Sequence, residues 1–135
     1  MDQIDKQILN ILKQDSKQNF KTIGAQIHMT GQAVGNRVRK LEEDGIIEGY
    51  TIRTKPLNQS LITAHLTLSM KTNEHYLVKT FVSHTSEVIE AARISGKGCY
   101  IFKVQVENHD RLNAICDDIL KFANYSMSIE TEKIK

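Results

Sequence analysis

The sequence predicts an α+β protein in two parts: an N-terminal helix-turn-helix domain of the winged-helix type, then a C-terminal ferredoxin-like βαββαβ domain. Apolar residues recur at helical spacing through the first 44 residues. From Ile62 onward the pattern changes to strict alternation of apolar and polar residues. The only proline, Pro56, lies between the two patterns. We therefore predict a first domain at 1–54 that ends in a linker strand, a linker at 55–60 and a second domain at 61–135.

Two helices are predicted at the start of the first domain. The first spans residues 2–15, with Asp2 as its N-terminal cap and isoleucines on one face. A second helix covers about 20–27, with Asn19 as its cap. Gly24 interrupts its apolar face, and because glycine weakens a helix by roughly 1 kcal/mol, we expect a close contact with another helix there.

A third helix follows a tight turn at His28-Met29, and Thr30 is its predicted cap. It ends near Asp44-Gly45, a helix-stop signal. Helix, tight turn and helix in this order form a helix-turn-helix, whose second helix fits the DNA major groove. Residues 50–54 then predict a strand.

Double-stranded DNA is therefore the predicted partner, and the third helix the predicted contact. The first 50 residues carry equal numbers of acidic and basic side chains, so one protomer should bind DNA weakly. Gln32 and Asn36 lie on the first turns of this helix, where amides can pair with adenine, although a solvated amide explains either one alone almost as well. The candidate DNA-contacting residues are Thr30, Gln32, Ala33, Asn36, Arg37, Arg39 and Lys40, together with Lys17 and Lys21 beside the second helix.

The second half of the chain predicts a four-stranded sheet with two helices. The predicted elements are a strand at 62–70, a helix at 74–85, a strand at 88–95, a glycine turn at 96–98, a strand at 100–106, a helix around 112–120 and a strand at 127–134. Two helices cover only one face of such a sheet, so the other face meets water or another subunit. Ile101 on that face favours a subunit contact.

Catalytic and metal-binding residues are not predicted. The five histidines have no metal-ligand spacing, and Cys99 and Cys116 belong to no recognised motif. An enzyme built on the βαββαβ half would need a polar cluster that the sequence lacks. The cysteine usage and the lack of a long apolar run predict a cytoplasmic protein with no membrane partner.

Three segments together resemble the Lrp/AsnC family of prokaryotic transcription regulators. They are IDKQILNILKQDSKQ at residues 4–18, MTGQAVGNRVRKLEEDGIIEGYT at 29–51 and SEVIEAARISGKGCYIFKVQV at 86–106. The resemblance implies a non-enzymatic, sequence-specific regulator without a cofactor. It also implies dimers that often assemble into octamers.

The resemblance further implies, for some members, a small amino-acid effector bound between dimers near the glycine turn. The matching positions are Gly96, Gly98, Cys99 and Tyr100. The family often has an aspartate where this chain has Cys99, so the partner for an effector's ammonium group is missing, and we expect weak binding of amino acids or none. Two alternatives stay open: a regulator modulated by an effector, and an effector-independent architectural protein that bends or wraps DNA.

Overall fold

The computed structural model describes residues 1–54 and 60–135, and it has two compact units, Met1–Thr54 and Lys55–Lys135. The predicted linker at 55–60, with Pro56, lies outside the described residues except for Ser60. The first unit contains α1 (Gln3–Gln14), α2 (Phe20–Ile27) and α3 (Gly31–Glu43). The second contains β1 (Ile62–Met70), α4 (Tyr76–His84), β2 (Val88–Arg93), β3 (Tyr100–Val106), α5 (His109–Ile119) and β4 (Ala123–Ile129). The helix-turn-helix and the βαββαβ order are both confirmed.

Each of the first three helices begins at a polar side chain that caps it, as the sequence predicts. The Asp2 carboxylate accepts a hydrogen bond from the backbone N–H of Asp5 at 2.9 Å, and the Asp5 carboxylate accepts one from Asp2 at 2.8 Å. Asn19 caps α2, and the Thr30 hydroxyl accepts from the Ala33 N–H at 3.2 Å. These bonds satisfy backbone donors that a helix start otherwise leaves without partners.

The core of the first unit is small and brings the three helices together. Its buried members are Ile8, Leu12, Ile23, Val34 and Val38. Gly24 does make a close contact, but the prediction that another helix is its partner is wrong. A Cβ on Gly24 would lie 2.3 Å from the carbonyl oxygen of Met29, so the close neighbour is the backbone of the turn between α2 and α3.

The strand predicted at 50–54 is not formed within the described part of the chain. Tyr50 and Ile52 have strand propensity, but a strand also needs a neighbouring backbone to pair with. No segment among residues 1–54 and 60–135 pairs with it, and the Ile52 side chain is 78% exposed.

The sheet of the second unit has the order β2-β3-β1-β4, and all three pairings are antiparallel. Alternation places Leu66 on the face that α4 and α5 cover, opposite Phe102 of β3. The core on that face also buries Val78, the most buried residue of α4. The predicted inner-face residues of this helix, Leu77, Phe81 and Val82, are only partly buried against that core.

The last strand begins and ends earlier than its sequence predicts, at 123–129 rather than 127–134. Its partner β1 determines these limits. Pairing runs from Met70 with Ala123 to Ala64 with Ile129, and one further bond joins the Glu130 N–H to the Thr63 carbonyl at 2.8 Å. Because β1 begins at Ile62, which this register places opposite Thr131, the residues after Thr131 have no neighbouring β1 backbone to pair with.

Candidate nucleic-acid interface

Helix α3 presents one polar face to solvent. Val34, Val38 and Leu41 are buried on its inner side. Gln32, Asn36 and Arg39 recur at helical spacing on the opposite side, and all three are exposed. The structure thus brings together the two amides and one cation that the sequence predicts as DNA contacts, on a face unobstructed by the rest of its unit.

An open groove of about 440 Å³ runs along the edge of this face. Its lining residues are Phe20, Gly31, Gln32, Gly35, Asn36, Val38, Arg39 and Glu42. The presence of Phe20 is a feature that the sequence analysis missed. The one sequence signal that could have indicated its role is a large aromatic residue at the first position of a helix, followed by glycines one turn apart in the next helix.

Arg37 differs from the other cations of α3, because it points towards α1. Its guanidinium donates to Asp2 at 2.7 Å and to Asp5 at 2.8 Å. The backbone N–H of Asp5 and then the guanidinium of Arg37 lower the pKa of Asp2 to about 2. Likewise, the Asp2 N–H and then Arg37 lower the pKa of Asp5, while the two carboxylates raise the pKa of Arg37. Two carboxylates therefore already balance this arginine.

The other predicted contacts have simpler surroundings. Arg39 and Lys40 are exposed, and neither forms an ion pair with any residue in 1–54 or 60–135. Lys21, the second residue of α2, is also exposed, and so is Lys17, three residues before that helix begins. Ala33 is half-buried on the first turn of α3, beside the cap that Thr30 provides.

The glycine turn between β2 and β3 requires both of its glycines. Gly96 has φ of 109° and Gly98 has φ of 96°, a region that side chains with a Cβ rarely adopt. A Cβ on Gly98 would also lie 2.7 Å from Cγ2 of Thr67. The next backbone N–H, that of Cys99, donates to the Leu68 carbonyl at 2.6 Å and holds the turn against β1.

Tyr100 follows the turn and contacts two side chains. Its hydroxyl lies 2.7 Å from Nδ1 of His75, and the Arg93 guanidinium lies 5.9 Å from the centre of its ring. Cys99 is a half-buried free thiol. No acidic residue occurs between Arg93 and Tyr100 in the sequence, so this part of the candidate effector site has cations and no carboxylate.

Across residues 1–54 and 60–135, no three His, Cys, Asp or Glu side chains are grouped as a metal ion would need. No helix of that part of the chain is long and apolar enough to span a membrane.

Comparison with known proteins gives matches in both units. The family model of the AsnC-type helix-turn-helix domain matches residues 1–42, and that of the Lrp/AsnC ligand binding domain matches residues 63–135. The HTH-type transcriptional regulator LrpB of Bacillus subtilis is 39% identical over 136 residues, covering 100% of this chain and 91% of that protein.

Solved structures extend the likeness to the fold. The structure of B. subtilis LrpC has a TM-score of 0.88 at 25% identity, covering 100% of this chain and 97% of that one. A transcriptional regulator of Neisseria meningitidis, solved as a complex with L-Met, has a TM-score of 0.87 at 18% identity, covering 100% of this chain and 92% of that one.

Proposed function

The chain belongs to the Lrp/AsnC family of helix-turn-helix transcription regulators, a non-enzymatic class, and on that premise we propose that it binds its operator through the exposed face of α3. The observation that carries the proposal is the placement of Gln32, Asn36 and Arg39 on one solvent-facing side of that helix. An exposed helix face with two amides and a cation suits the edges of bases in the major groove.

Each predicted contact has a proposed role. Gln32 and Asn36 contact base edges, while Arg39 and Lys40 contact phosphates. Lys17 and Lys21 contact the DNA backbone next to the start of α2, and Thr30 and Ala33 border the DNA at the start of α3. We assign Arg37 a different role: its pairs with Asp2 and Asp5 hold α3 against α1.

Self-association is the second part of the proposal. A head with balanced charge binds DNA weakly, but joining two heads makes the second contact effectively intramolecular. The sheet face left uncovered by α4 and α5 is a suitable dimer interface. Ile101 on that face is 39% exposed, and a shallow cavity of about 230 Å³ lies beside it. We propose dimers formed there and octamers built from them, acting in the cytoplasm.

Effector binding is the third part. The Lrp/AsnC ligand binding domain covers the second unit, and the relative from N. meningitidis was solved with L-Met. In this chain Cys99 supplies no carboxylate for an ammonium group, so we expect free amino acids to bind weakly or not at all. That same substitution favours the second candidate function, an effector-independent protein that bends or wraps DNA.

Selection from a random duplex library with the full chain tests the proposal. We expect a pseudo-palindromic motif whose half-sites lie about one or two helical turns apart. Recovery of no motif above background would contradict sequence-specific binding.

Light scattering on the same preparation tests assembly, with and without a mixture of the common amino acids. We expect at least a dimer in both samples and the same mass in both. A monomer at micromolar concentration would contradict the assembly, and a change of mass on adding amino acids would contradict effector independence.

A further inference from the structure

Phe20 is a large apolar residue that the core of its unit does not use. It is the first residue of α2, its side chain is 42% exposed, and it belongs neither to the buried cluster around Ile8 and Ile23 nor to the residues packed on that cluster. Burial stabilises an apolar side chain roughly in proportion to the area removed from water. Phe20 therefore contributes only part of its possible stabilisation to the fold.

The ring of Phe20 instead lies against α3. A Cβ on Gly35 would be 3.1 Å and 3.3 Å from ring atoms Cδ2 and Cε2. One turn earlier, a Cβ on Gly31 would be 3.0 Å from the backbone nitrogen of Lys21. Gly35, inside α3, weakens that helix by roughly 1 kcal/mol relative to alanine. The two glycines thus allow the start of α2, with its aromatic ring, to lie directly on α3.

Phe20 and the polar face of α3 line the same open groove. Gln32, Asn36 and Arg39 provide hydrogen-bonding groups on one side of it, and the ring of Phe20 provides the apolar surface. The groove is lined by one cation, Arg39, and one anion, Glu42, whose carboxylate accepts a hydrogen bond from the Tyr50 hydroxyl at 2.7 Å. The exposed Lys21 at the start of α2 adds a second cation nearby, so the net charge is positive and suits a polyanion as the occupant. The groove therefore combines hydrogen bonding, positive charge and one apolar contact.

Thymine is the base that such a combination distinguishes. In the major groove it alone among the four standard bases presents a methyl group, and phenylalanine is one of the side chains that contact this methyl. We propose that Phe20 is a specificity-determining residue that contacts the 5-methyl group of a thymine next to the bases bound by α3. The inference rests on the proposed function of α3 as the DNA-contacting helix.

Replacing thymine by uracil tests this directly, because uracil lacks the methyl group and keeps the hydrogen-bonding edge. The probe is the duplex selected by the full chain, prepared with dTTP or with dUTP. We expect the wild type to bind the thymine duplex about fourfold more tightly for each methyl contacted, the effect of burying one such group.

In the Phe20→Ala variant the preference for the thymine duplex should fall by about fourfold for each Phe20 contact, because its affinity for that duplex falls while its affinity for the uracil duplex stays that of the wild type. Tyr76→Ala, which removes a 62% exposed aromatic from the second unit, is the matched control and should keep the full preference. Gly35→Ala gives an independent test. Its added methyl displaces the ring without removing it, so the preference should fall while the thermal midpoint stays the same or rises.

Two outcomes would overturn the proposal: equal binding of both duplexes by the wild type, or an undiminished thymine preference in Phe20→Ala. The failure of α3 as the DNA-contacting helix would look different. In that case the double variant Gln32→Ala/Asn36→Ala would also select the same motif as the wild type. If only the role of Phe20 is wrong, that double variant changes the motif and Phe20→Ala does not alter the thymine preference.

Discussion

Arg37 and Arg39 are two residues apart on α3, and the structure predicts different effects when their charges are removed: removal of the Arg39 charge should change the salt dependence of DNA binding, and removal of the Arg37 charge should change thermal stability. The Arg37 guanidinium is bound at 2.7 Å and 2.8 Å by the carboxylates of Asp2 and Asp5, whereas Arg39 is exposed on the polar face. Only a cation that displaces counterions from phosphate contributes to the salt dependence of binding. We therefore expect Arg39→Gln, and not Arg37→Gln, to change that dependence.

The size of the effect follows from the number of contacts. Each phosphate contact contributes about 0.9 to the slope of log affinity against log salt, so a dimer with two heads should lose about 1.8 in Arg39→Gln. Between 50 and 200 mM salt, that change in slope alters the loss of affinity by about 12-fold. In Arg37→Gln the slope should remain that of the wild type, and thermal stability should fall, because Asp2 and Asp5 lose their counter-charge.

Fluorescence anisotropy with one selected duplex over this salt range measures the slopes, and differential scanning fluorimetry measures the stabilities. Arg111→Gln is the matched control, since Arg111 is a paired arginine of the second unit, bound to Glu87. A slope reduced as much in Arg37→Gln as in Arg39→Gln would refute the distinction. So would an Arg37→Gln protein with unchanged stability.

Three further predictions follow from individual contacts. The pKa of Asp2 is lowered from 3.8 to about 2, so the contribution of its carboxylate to folding stability is present above pH 4 and is lost as pH falls towards 2. Asp2→Asn should therefore lower the urea midpoint of unfolding at pH 6 and have little effect at pH 2. An equal effect at both pH values would contradict this. Gly24→Ala should destabilise the first unit by about 1–3 kcal/mol or more, because its methyl would overlap the Met29 carbonyl; a thermal midpoint like that of the wild type would disprove the clash. Cys99→Asp should create or tighten amino-acid binding in isothermal titration, and tight binding by the unmodified protein would show that the missing acid is not needed.

The helices of the first unit could be predicted well because their signals are local. The caps Asp2, Asn19 and Thr30 act within three residues of their own positions, so the sequence alone specifies where each helix begins. The apolar spacing of α3 likewise determines which side faces solvent. The exposure of Gln32 and Asn36 follows directly from that spacing.

The pairing of Arg37 could not be predicted in this way. Its partners Asp2 and Asp5 are 35 and 32 residues away, and only the packing of α1 on α3 brings them together. The same holds for Phe20, whose contact with Gly35 depends on the packing of α2 against α3. The sequence shows that a charged residue and an aromatic residue occur at these two positions, but only the tertiary structure specifies which residues they contact.

The residues at which the strands end likewise depend on partner strands that are distant in the sequence. Strand propensity alone extended the last strand to residue 134, whereas pairing with β1 ends it at Ile129. Propensity also predicted a strand at 50–54, where the described residues offer no partner. Pairing is a property of two segments, and neither one specifies it alone.

The central claim is that the exposed face of α3 recognises the operator. Its most direct test is the ratio of affinities for the selected duplex and for a scrambled duplex of the same composition, measured in Gln32→Ala/Asn36→Ala. Asn113→Ala, which removes an exposed amide from α5, is the control. Each lost base contact should reduce the free-energy preference for the selected duplex by about 1–3 kcal/mol. The affinity for the scrambled duplex should change little. A ratio equal to that of the wild type would contradict the claim.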